Sequence, residues 1–184
     1  AVFLSQFPSF ARDVLGGNEQ VASLLLVVFS VGIAVGALLC ETLSHRHVEI
    51  GLVPIGAVGM TVFAWDLYLA TQGMSHTGGA FLSVGAFVAQ SAHWRVMADL
   101  ALLAFSAGLY SVPMYALIQL RAKPSHRARI IAANNILNAL FMIVSSLAAG
   151  ALLGAGFSIP EVFAATAVLN IIVVGYVFWL MPEY

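Results

Sequence analysis

Arg95 and Asp99 stand four residues apart, a spacing that puts two side chains on one face of a helix. Such a pair either forms a local ion pair or offers the guanidinium fork to a phosphate while the carboxylate orients it. They read as a substrate entrance. His45, His47 and Glu49 alternate and would share a face on a strand, as metal ligands must. No further ligand set lies near them, and a polar loop between membrane segments is the ordinary home of such residues. No metal or other cofactor is expected. Glycerolipid acyltransferases use a histidine and an aspartate with four residues between, whereas five separate His93 from Asp99. With no zinc-ligand set and no GxSxG elbow, the chain does not read as an enzyme, and any such chemistry would lie outside it.

Two stripes of polar and small residues carry the other chemistry. Gly108, Ser111, Tyr115 and Gln119 follow at steps of three, four and four, and Asn134, Asn138, Phe141 and Ser145 repeat with similar spacing. They lie on two uncharged runs, Leu100 to Leu120 and Ile130 to Gly150. About 20 residues suffice for a helix to cross a hydrocarbon core of roughly 30 Å, so both runs span. Unpaired amides are costly in lipid, so each stripe faces another helix or a water-filled cavity. Such stripes also serve as glue between membrane helices. Two facing stripes favour a cavity, which Gly108, Ser111, Tyr115, Gln119, Asn134, Asn138 and Ser145 would line, with the last helix of the chain on the periphery.

The connector between the runs holds Arg121, Lys123, Arg127 and Arg129, four of the seven basic residues. Hydrophobic residues make up 61% of the 184, charged residues 8%, and mean hydropathy is +0.99. Ordinary soluble domains carry about 25% charged residues, so this chain belongs in a bilayer, and no nucleic-acid partner is expected. A single cysteine, Cys40, permits no internal disulfide. The stretch from Ala1 to Ala11 would span only about 16 Å as a helix, which reads as a truncated first crossing and the whole as a fragment.

Along the chain, helices are expected at about 1–11, 19–40, 50–71, 96–121, 128–153 and 159–181. Arg12–Asp13 and Gly16–Gly17 stop the first, and Asn18 and Ser125 are candidate N-caps. Ser158 and Glu161 make a capping box. Gly32 and Gly36 form a small-xxx-small face, and Pro54 suggests a kink. The glycine-broken segment before residue 96 holds an apolar piece, 80–89, too short to span, which reads as an interfacial or re-entrant helix with His93 and Trp94 at headgroup level. Asp66, beside Trp65 and Tyr68, reads as a solvated residue at the interface. Arg46 and the four basic residues of the connector lie on one side, against Arg12 and Arg95 on the other, so 41–49 and 121–129 are expected to be cytoplasmic.

The segments Gly108-Leu-Tyr-Ser-Val-Pro-Met-Tyr-Ala-Leu-Ile-Gln119 and Arg127-Ala-Arg-Ile-Ile-Ala-Ala-Asn-Asn-Ile-Leu-Asn-Ala-Leu-Phe-Met142 resemble the major facilitator superfamily, and within it the bacterial lysophospholipid transporters. Arg12-Asp-Val-Leu-Gly-Gly17 and Glu49-Ile-Gly-Leu-Val-Pro54 extend the likeness more loosely. The resemblance implies an all-α membrane protein, with residues 1–184 forming the C-terminal six-helix half of a carrier: a truncated helix, five full ones and a short interfacial helix. It implies a multi-pass protein of the bacterial inner membrane that works with an N-terminal half and moves lysophospholipid across for reacylation. That branch also occurs fused to an acyltransferase and an acyl-carrier-protein synthetase, which would then be partners. In the superfamily the loop after the second helix of a half carries an aspartate four residues after a glycine. Here Cys40 follows Gly36 at that spacing and the acid stands at Glu41. Glu41, Arg127 and Arg129 are the gating or structural set. A carrier for another small amphiphile, or the membrane segment of the fused enzyme, are the alternatives. The polar stripes argue against a passive anchor.

Overall fold

The computed structural model describes residues 2–43, 51–75 and 78–180. His45, Arg46, His47 and Glu49 lie outside the described residues, as do the last four of the chain, so the alternating ligand reading and the Arg46 loop fall outside the structure.

Among the described residues the chain is all-helical, and five helices there are long and apolar enough to cross a membrane. The first helix, α1 (Val2–Ser9), runs into a π-helical turn, Phe10–Val14. Arg12 and Asp13 do not stop it, because both are exposed at the helix end and need no break to reach solvent. Gly16 does: at φ 63° it adopts the left-handed conformation that glycine takes without a Cβ penalty, and the Gly17 amide donates back to the Ala11 carbonyl at 2.7 Å. Asn18 then caps α2 (Glu19–Leu43), its Oδ1 accepting from the Gln20 and Val21 amides, both at 3.1 Å. In α3 (Leu52–Thr71), Pro54 falls in the first turn, where its missing N–H has no intrahelical partner to lose, so the expected kink is not required.

The short α4 (Val84–Ala89) is capped by Ser83, and α5 (Ser91–Arg121) follows after one extended residue, Gln90. The helix expected from about residue 96 thus starts five residues earlier, and His93 and Trp94 lie on it. The reason is local: His93 Nδ1 meets the Phe87 carbonyl at 2.9 Å, which also accepts the Gln90 amide at 3.3 Å, and Trp94 Nε1 donates to the Val88 carbonyl at 2.7 Å, so both side chains tie the start of α5 to the end of α4. Ahead of α4 the chain is tied to the α1–α2 turn. The Asn18 amide donates to the Leu82 carbonyl and the Leu82 amide to the Gly16 carbonyl, at 3.0 and 2.7 Å, while Arg12 lies over the Phe81 ring.

α5 is the hub, packing most heavily on α2 and α3. At the α2 crossing the backbones touch. An ideal Cβ on Gly108 would stand 2.6 Å from the Ile33 carbonyl oxygen, and one on Gly32 would stand 2.5 Å from that of Ala101. α6 (Arg127–Gly154) and α7 (Ile159–Leu180) complete the chain. Ser125 does not cap α6. His126 takes the N-cap position without a side-chain bond to the helix, and the Ser125 hydroxyl pairs with its ring at 2.9 Å. Ser158 and Glu161 do form the capping box at α7, with the Ser158 amide donating to Glu161 Oε2 at 2.6 Å.

The expected placement of the last two helices is reversed. α7 packs along α3, and Asn170 Nδ2 donates to the Ala57 carbonyl and Thr61 Oγ1 at 3.0 and 2.8 Å. Phe163 of α7 also joins the aromatic core, 4.5 Å from Phe3 and 5.2 Å from Phe10 between ring centres. It is α6 that lies on the outside, with Ala149 its one buried residue.

Candidate functional site

Two polar clusters are built by these contacts. One joins α3 and α5 near the end of the bundle marked by Trp65, Tyr68 and Trp94. Arg95 does not pair with Asp99. Its Nε donates to Asp66 Oδ2 at 3.2 Å and its Nη2 to Asp66 Oδ1, a two-pronged pair in which both side chains keep solvent access. Asp66 on the neighbouring helix presents both oxygens to the fork, whereas Asp99 lies one turn deeper and is only 4% exposed. Its Oδ2 has no hydrogen-bond partner among the described residues. Beside Asp66 an apolar groove of about 570 Å³ opens between α3 and α7, walled by Thr61, Val62, Trp65, Val168 and Ile171.

The other cluster joins α5 and α6. Asn138 Nδ2 donates to the Tyr115 hydroxyl at 2.9 Å, and both residues are exposed. Other members of the two stripes are not drawn into this contact. Gly108 is buried against the α2 backbone and lines no cavity. The Ser111 hydroxyl donates to the Ala107 carbonyl at 2.7 Å and that of Ser145 to the Met142 carbonyl at 3.0 Å, each within its own helix. Gln119 is exposed near the end of α5, and Asn134 is half-buried one turn before Asn138. Glu41 is exposed in the last turn of α2, and Arg127 and Arg129 are exposed in the first turn of α6.

Asp66 and Asn170 carry more of the structure than the sequence reading assigned them. For Asp66 the signal was scarcity: Arg95 is the nearest opposite charge available at that end of the helices, and a charge at a membrane helix seeks one. For Asn170 it was a lone amide in an otherwise apolar helix, which must find a partner on a neighbour. No group of three or more metal-ligating side chains exists among the described residues. Comparison of the chain with protein-family models, curated proteins and solved structures finds no match. Fold and clusters together define a multi-pass helical membrane protein with ionisable and amide groups placed between its helices.

Proposed function

We propose that this chain is the C-terminal six-helix half of a major facilitator type carrier, moving lysophospholipid across the bacterial inner membrane by alternating access. The reading rests on the resemblance of the α5 and α6 segments. The observation that carries it further is the Tyr115–Asn138 bond. It draws the two stripes together on exposed faces, where lipid would be a poor solvent for the polar atoms and a cavity shared with a second half would be a good one. α6, with a single buried residue, fits a helix that packs on that other half. The ionic cluster with its apolar groove suits an amphiphile with a charged head and one acyl chain.

Uptake of lysophosphatidylethanolamine into proteoliposomes by the full-length protein tests this. Asn138→Leu is expected to lower uptake severalfold while insertion stays normal. Uptake absent from the parent protein, or unchanged in Asn138→Leu, would overturn the reading. Arg95→Lys separates a phosphate-binding fork from a simple interfacial pair, because lysine keeps the charge and loses the planar geometry. Weaker apparent affinity is the expected result, and unchanged affinity would remove Arg95 from the site.

A further inference from the structure

His93 stands in the first turn of α5 with one ring nitrogen engaged and the other free. A backbone carbonyl can only accept, so the 2.9 Å contact of Nδ1 with the Phe87 carbonyl puts the ring proton on Nδ1. In the neutral ring Nε2 then carries a lone pair. That nitrogen has no partner among the described residues, although His93 is only 6% exposed. The ring is held in this orientation, because it also lies flat on Phe87, 4.0 Å between ring centres and 6° from parallel.

What His93 borders is a cavity of about 470 Å³ between the turn after α1, the segment after α3 and the start of α5. Small-molecule sites span about 300–1,000 Å³. The backbone around it is pinned, with the Leu82 amide donating to the Gly16 carbonyl at 2.7 Å and the Met74 amide to the Thr71 carbonyl at 3.1 Å. Val14, Leu15 and Leu82 give it apolar wall, and Gln90 and Ser75 add an amide and a hydroxyl. Gln90 takes the N-cap position of α5 without a side-chain bond to the helix, and Ser75 is exposed.

The lining narrows the ligand. A fixed lone pair on Nε2 asks for a donor. No charged residue lines the cavity among the described residues, so an ammonium or an anion would lose water there and gain no counter-charge. A metal ion needs several ligands, and no group of three exists among the described residues. Water can sit at Nε2 until a hydroxyl that reproduces its hydrogen bond displaces it.

We propose that this cavity binds an uncharged polyol unit, a glycerol or a sugar, one hydroxyl of which donates to His93 Nε2 while a neighbouring hydroxyl is held by the Gln90 amide. The same chemistry is offered by a free polyol and by the glycerol headgroup of phosphatidylglycerol, which the membrane would present at the level of Trp94. The site lies apart from Arg95 and from the polar stripes, and holds whatever substrate the protein moves.

Nuclear magnetic resonance of the full-length protein, labelled with ¹⁵N-histidine and held in phosphatidylcholine nanodiscs, reads the site without transport. Glycerol is expected to shift one histidine Nε2 signal saturably, and the signal should be missing from His93→Gln. Dimethoxyethane, which has the same ether-sized frame and no hydroxyl, should leave it in place. In Gln90→Ala the midpoint of the glycerol titration should rise about fivefold, the worth of one net hydrogen bond. If His93→Gln fails to fold, Gln90→Ala still locates the signal at the cavity. Nanodiscs of phosphatidylglycerol distinguish the sources: a shift already present without glycerol assigns the site to the lipid headgroup, and an unshifted signal that still answers to glycerol assigns it to a free polyol. No shift with glycerol or phosphatidylglycerol, a shift that does not saturate, an equal shift with dimethoxyethane, or an unchanged midpoint in Gln90→Ala overturns the proposal. So does a shift with zinc sulfate and none with either polyol, which would assign the ring to a metal.

Discussion

The crossing of α2 with α5 and the crossing of α5 with α6 use opposite means of holding two helices together. In the first, Gly32 and Gly108 remove the side chains and bring backbone against backbone. In the second, two side-chain tips meet, Tyr115 and Asn138, and apolar residues such as Leu137, Leu140, Phe141 and Val144 stay exposed around them. Backbone contact sums many small attractions over a long seam. A single hydrogen bond between membrane helices is worth about 0.6 kcal/mol on average. The first pair is therefore a fixed unit, and the second can part at little cost.

Placing a side chain in the tight seam should have the largest effect. Gly108→Ile is expected to destabilise the protein by about 3 kcal/mol, because the atoms in its way are backbone and cannot rotate aside. Unfolding in mixed detergent would show it, and a normal transition midpoint would mean that the helices are not in backbone contact. Next comes the α3–α7 pair, where Asn170→Leu removes two hydrogen bonds and should cost about 1 kcal/mol in the same assay. An unchanged midpoint there would make α7 as loosely held as α6.

Tyr115→Phe should alter stability by less than about 0.5 kcal/mol, as expected for an exposed site. In the same variant a cysteine placed at Leu137 should react faster with a water-soluble maleimide. A large loss of stability would show that α6 belongs to the fixed unit. The smallest expected effect on stability is that of replacing Arg127 and Arg129 with glutamine. Melting and substrate affinity should stay as they were while transport slows, and a marked loss of affinity would place these side chains at the substrate.

Local signals survive the passage from sequence to structure best. Asn18 and the Ser158–Glu161 box cap the expected helices because each needs only residues within three positions of itself. Long apolar runs give long helices for the same reason. The start of α5 was harder to read: glycines and an uncharged run concealed a helix whose first turn is set by bonds from His93 and Trp94 to the preceding short helix. Charge pairing failed on distance along the chain. The four-residue spacing of Arg95 and Asp99 is favourable on any helix, yet the partner chosen is Asp66, 29 residues away. The stripes on α5 and α6 show that polar groups need company but do not name it. Gly108 therefore reads equally well as cavity lining or as a seam, and packing against α2 decides for the seam.

The two hydrogen bonds between residues 16–18 and Leu82 also have a kinematic consequence. They close the intervening chain into a ring that contains α2 and α3, pinned where α1 ends and α4 begins. At the opposite end the helices are fastened as well, because Gly36 of α2 meets the Phe105 carbonyl and Gly56 of α3 meets the Ser106 carbonyl, backbone against backbone. A ring held at both ends has no hinge of its own, so α2, α3 and α5 move as one body.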